Sequence, residues 1–147
     1  MSSPTTGSSI RWPTGWAALD AGMLKLRRSY AAARDVQDCK SIGLQCASLL
    51  QRLGREVFDP ARHLPTGEAE PGRDDAKRRI GLYVDAVTAG RGSAFSEIRK
   101  LGASCARLAE AVKHAGAPTR VEAGIAADAT IQLVQLVRRL TALDLQA

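Results

Sequence analysis

A chain of 147 residues is long enough for one domain that buries roughly two thirds of the surface its unfolded form exposes, so no disulfide or metal staple is required. Its 45% hydrophobic share is ordinary, but only 4% is aromatic, so the core must be made of Leu, Ala, Val and Ile, which suits packed helices. The net charge of +6 would attract a polyanion in a salt-sensitive way, and no apolar run approaches the roughly 18 residues that span a bilayer.

Residues 1–11, opening "MSSPTTGSSI", are small and polar and are expected to form a flexible lead, with a single domain over 12–147. Pro13 and Thr14 offer start signals for a first helix, on which Trp16, Leu19, Met23, Leu26 and Tyr30 recur at helical spacing. From Asp35 onward Val36, Cys39, Ile42, Gly43, Cys46, Leu49, Leu50, Leu53 and Val57 follow the i, i+3, i+4, i+7 rule for six turns. Gly43 on that buried arc predicts close approach by another helix. The segment "DPARHLPTGEAEPGRD", with three prolines and two glycines, excludes a continuous helix and predicts a long surface loop over 59–73, with His63 as an ordinary exposed histidine.

Asp74 or Asp75 can cap a third helix that turns Ile80, Tyr83, Val84 and Val87 inward, and Ala89-Gly90-Arg91-Gly92 ends it as a turn and not as a phosphate cradle. Ser93 can cap a fourth helix with Phe95, Ile98, Leu101, Gly102, Cys105, Leu108, Ala109 and Val112 on its buried stripe. Gly116 and Pro118 close it. Thr119 and Glu122 form a capping box for a fifth helix, whose apolar face is Val121, Ile125, Ala129, Leu133, Leu136, Val137 and Leu140, with Ile131 and Val134 outside it. The fold class expected is all-α: an antiparallel bundle of about five helices.

Cys39, Cys46 and Cys105 are odd in number, lack C-x-x-C spacing and fall on buried stripes, where cysteine acts as a small hydrophobe. A reducing cytoplasm is the expected setting, with no metal and no cofactor. Arg107 and His114 are separated by seven positions, so a helix carries them about 700° round to nearly the same side and about 10 Å apart along the axis. Opposite the apolar stripe, that side also carries Ser96, Ala103 and Ala111, small enough for a second helix to approach. A symmetric dimer pairing these faces would bring one subunit's histidine toward the other's arginine. A histidine can take the proton of a ribose 2′-hydroxyl while an arginine fork holds the phosphoryl oxygens; a helix C-terminus favours the imidazolium, in which form His114 would serve instead as anion ligand or proton donor, and Arg99, Lys100, Lys113 and Arg120 lie close in sequence to reinforce anion attraction.

The run Leu101 to Leu140, with R-x6-H in "RLAEAVKH", a short turn and the alanine-rich "VEAGIAADATIQLVQLVRRL", resembles the C-terminal half of HEPN-type domains of abortive-infection and other prokaryotic defence proteins. The resemblance implies a small, HEPN-like helical bundle, often a homodimer, in which active members are metal-independent ribonucleases with the motif at the dimer interface. It carries Arg107 over as phosphate binder and His114 as catalytic histidine. The expected function is therefore a defence- or stress-associated RNA-cleaving or RNA-binding domain without membrane association. The alternative is a non-catalytic bundle that dimerises or binds a partner protein.

Overall fold

The computed structural model describes residues 4–146, with side chains described for residues 15–145. Six helices follow one another: α1 (Pro4–Ala32), α2 (Val36–Val57), α3 (Pro60–His63), α4 (Ala76–Thr88), α5 (Ala94–His114) and α6 (Arg120–Gln146). The all-α bundle expected from periodicity is present, with the single-turn α3 added inside the 59–73 loop. Helix α1 is already under way before Pro13 and Thr14, the residues that read as its start, and residues 1–3 of the expected lead lie outside the described residues. No helix among the described residues is long and apolar enough to cross a membrane.

Close contacts fix the directions of the rods. Gly22 meets Leu49, Gly43 meets Lys113, Gly102 meets Leu133 and Tyr30 meets Gly124, so α1 and α5 run opposite to α2 and α6. Ile80 against Gly102 and Arg99 against Gly81 set α4 opposite to α5. Helix α2 touches all four other long helices, while α1, among the described residues, packs on α2 and α6. This central place explains the long, nearly unbroken apolar stripe of α2, which buries Cys39, Ile42, Cys46, Leu49, Leu50 and Leu53.

Local chemistry starts the helices. Asp35 accepts the Asp38 amide at 2.8 Å and Asp38 reaches back to the Asp35 amide, a reciprocal cap that the stripe reading passed over. Asp75 accepts the Arg78 amide at 3.2 Å and caps α4. Thr119 and Glu122 exchange bonds of 3.1 and 2.8 Å and start α6 as expected. Ser93 stands at the N-cap of α5 but makes no side-chain capping bond, so that expectation is corrected: its backbone is already helical, and its carbonyl accepts the Ser96 hydroxyl instead.

Two stripe assignments also change. Ile131 and Val134, placed outside the apolar face of α6, are buried, whereas Val121 and Ile125, placed on it, are exposed. The true buried arc begins on Ala123, Ala126 and Ala127, whose small size lets α6 lie close to its neighbours, and it widens because α6 contacts α1, α2, α4 and α5. Val36 and Leu101, both read as buried, sit at stripe edges and remain partly exposed. The three cysteines are free and buried; burial pushes the Cys46 thiol up to about 11 and raises that of Cys105.

Candidate functional site

Helix α5 is uninterrupted from Ala94 to His114, so Arg107 and His114 leave one straight rod from the same side. Both are exposed, away from the buried Cys105, Ala109 and Val112. The position of the rod is set by its crossing with α2: a β-carbon on Gly43 would come within 2.5 Å of the Lys113 amide nitrogen, so only glycine allows the two backbones to meet there. The candidate histidine is thus the residue next to the closest backbone contact of α2 and α5.

His114 Nε2 lies 3.2 Å from a carboxylate oxygen of Glu110. An ionised carboxylate only accepts, so Nε2 donates in this bond and Nδ1 takes no part in it. Glu110 was legible in principle, since it stands four positions before His114 on the same helix. Arg107 donates to the Ser104 hydroxyl at 3.2 Å and has no carboxylate partner among the described residues.

The four basic residues expected to support anion binding are otherwise engaged. Arg99 is paired with Asp85, Lys100 with Glu97 at 2.9 Å, and Lys113 with Glu110 at 3.7 Å. Arg120 binds the hydroxyl and the carbonyl of Tyr30 at 3.1 and 3.0 Å and stacks 4.1 Å from its ring centroid, clipping the start of α6 to the end of α1. These exposed pairs contribute little to stability. The three carboxylate pairs lower the free positive charge around α5, whereas Arg120, bound to a hydroxyl and a carbonyl, keeps its charge.

Arg107 also borders a cleft of about 670 Å³ between α2, α4 and α5. Sequence reasoning did not reach this cleft, because its walls come from three different helices, α2, α4 and α5, whose packing the periodicity does not contain. Its floor is Ala47, Leu50, Ala76 and Ala106, and Lys77 stands on the α4 side.

His63 is the clearest correction. Read as an exposed histidine in a loop, it is buried, because α3 turns the chain back at once: His63 Nδ1 accepts the Asp59 amide at 2.9 Å. The proton of the neutral ring is then on Nε2, which points to Asp144 on α6 at 3.5 Å. Its ring meets the edge of Tyr83 at 4.9 Å between centroids, and Arg62 grips Asp144 through both guanidinium nitrogens. With both ring nitrogens occupied, His63 is a structural latch between the loop and the end of α6.

Fold and site together define the molecule as an all-helical bundle with an exposed arginine and histidine on its fifth rod, the arginine at the edge of the cleft toward α2 and α4. Comparison with protein-family models, curated proteins and solved structures finds no match.

Proposed function

We propose that the chain is an HEPN-like, metal-independent RNA-cleaving domain, acting as a homodimer in the cytoplasm in a defence or stress response. The observation that carries this reading is the joint exposure of Arg107 and His114 on one unbroken helix, with Nδ1 of His114 outside the Glu110 bond. In the proposed reaction His114 Nδ1 takes the 2′-hydroxyl proton as that oxygen attacks phosphorus. The bond to the 5′-oxygen breaks, that oxygen takes a proton from solvent, and a 2′,3′-cyclic phosphate remains. Arg107 holds the non-bridging oxygens as charge builds on them. The spacing of about 10 Å between the two residues along one helix favours their meeting across a two-fold axis, where the small residues Ser96, Ala103 and Ala111 admit a second rod.

The test is cleavage of a structured RNA by purified protein in chelator. His114→Ala and Arg107→Ala are each expected to lower the rate at least ~100-fold with an unchanged melting temperature. Cleavage by His114→Ala at the parent rate removes this site from consideration.

A second reading, a non-catalytic interaction domain, is favoured by one separate observation. Val121 and Ile125, four apart on α6, are 69% and 54% exposed. Under this reading Ile125→Glu abolishes a dimer or partner complex in light scattering, and the parent protein leaves RNA intact.

A further inference from the structure

We infer that the cleft between α2, α4 and α5 is a binding site for an organic phosphate with a flat, apolar body. Its volume of about 670 Å³ falls within the range typical of small-molecule sites. Its floor is short and apolar: Ala47 and Leu50 of α2 are buried, and Ala76 and Ala106 face them from α4 and α5. A planar ring can lie on these apolar side chains, whereas a sugar laid on them would set hydroxyls against alanine and leucine; Gln51 and three carboxylates belong to the polar part of the lining.

The charge around the rim selects the head group. Three carboxylates border the cleft, and each is engaged: Asp74 with Arg55 at 2.9 Å, Asp75 with the Arg78 amide at 3.2 Å, and Glu110 with His114 at 3.2 Å and Lys113 at 3.7 Å. Lys77 and Arg107 also border it, from α4 and α5, and neither has a carboxylate partner among the described residues. Two long cationic side chains reaching from different helices match a phosphomonoester, which carries close to two negative charges at neutral pH and offers three acceptor oxygens. A carboxylate could bridge the two but carries only one negative charge against their two positive ones.

The inference shares Arg107 with the RNA-directed reading and otherwise goes beyond it, since it needs neither a dimer nor bond cleavage. The full chain is titrated calorimetrically with phenyl phosphate, AMP, inorganic phosphate and glucose 6-phosphate. Phenyl phosphate and AMP are expected to bind at least about tenfold more tightly than the other two. AMP binding more tightly than phenyl phosphate assigns the body to a nucleotide, and the reverse assigns it to a simple ring. Lys77→Ala and Arg107→Ala should each weaken binding at least about tenfold, while Arg139→Ala, which removes one exposed charge from α6, leaves it unchanged. All three variants can be checked by melting curves, since Lys77, Arg107 and Arg139 are exposed and their loss leaves the core intact. Equal affinity for inorganic phosphate, no binding of either ring-bearing phosphate, or full binding by Lys77→Ala overturns the site. An RNA cleavage assay on the same preparations reports separately on the nuclease reading.

Discussion

Gly43 shows how far a single residue can be read and what its neighbours add. Its place on the buried arc of α2 predicts a close helix crossing, and the crossing partner is the backbone of α5 itself, at Val112 and Lys113. Backbone cannot rotate aside as a side chain can, so Gly43→Ala must push α5 away from α2 and is expected to cost about 1–3 kcal/mol. Gly116 is the contrast: a β-carbon there meets nothing within 4 Å and its φ is not positive, so Gly116→Ala should be neutral or stabilise by up to ~1 kcal/mol through the unfolded chain. Urea denaturation of both variants checks the pair, and equal midpoints would show that α5 yields freely. The two histidines mark the limit of the same approach. His114 lies on a periodic helix and its exposure follows from the period; His63 lies among prolines, where no period exists, and its depth is decided by Asp59, Tyr83 and Asp144.

At the scale of elements, caps are legible and faces only partly so. A cap is local: Thr119 and Glu122 need only each other, and their mutual bonds appear as the spacing requires. The backbone amide of Thr119, followed by its side chain, holds the Glu122 carboxyl below its ordinary 4.5. A depressed carboxyl contributes stability that is complete above its unfolded value and is lost as pH falls through the folded one. The melting-temperature deficit of Glu122→Ala should therefore be present at pH 7 and shrink to nothing as pH drops below 4.5 and through that lower value. Thr119→Ala removes the reciprocal bond and should melt about 2–4 °C lower at neutral pH. A Glu122→Ala deficit that stays constant through the acid range would show that charge has no part in the cap. Faces depend on neighbours instead. Val121 and Ile125 look like core and are not, since no described helix covers their side of α6, while Ile131 and Val134 are covered because α6 packs against four helices.

The charge of the whole molecule is where composition misleads most, and it carries the last prediction. A surplus of +6 suggests a broadly cationic surface, but the cations nearest the candidate site in sequence are bound at home: Arg99 to Asp85, Lys100 to Glu97, Lys113 to Glu110 and Arg120 to Tyr30. Such pairing depends on which helix sides face each other, which composition does not contain. Each phosphate neutralised on a single strand contributes about −0.7 to the slope of log affinity against log salt. Arg107 and Lys77, the two rim cations without carboxylate partners, would then give a slope of about −1.5, whereas recruitment of all six basic residues would give about −4. Anisotropy of a labelled, non-cleavable single-stranded RNA across a salt series measures this directly. A shallow slope that flattens further in Arg107→Ala is the expected result, because Arg99, Lys100 and Lys113 keep their carboxylates and Arg120 stays on Tyr30. A slope near −4 would mean that RNA pulls Arg99, Lys100 and Lys113 out of their ion pairs. The binding surface would then extend along the whole outer side of α5, and its arginine-histidine end would lose its special standing.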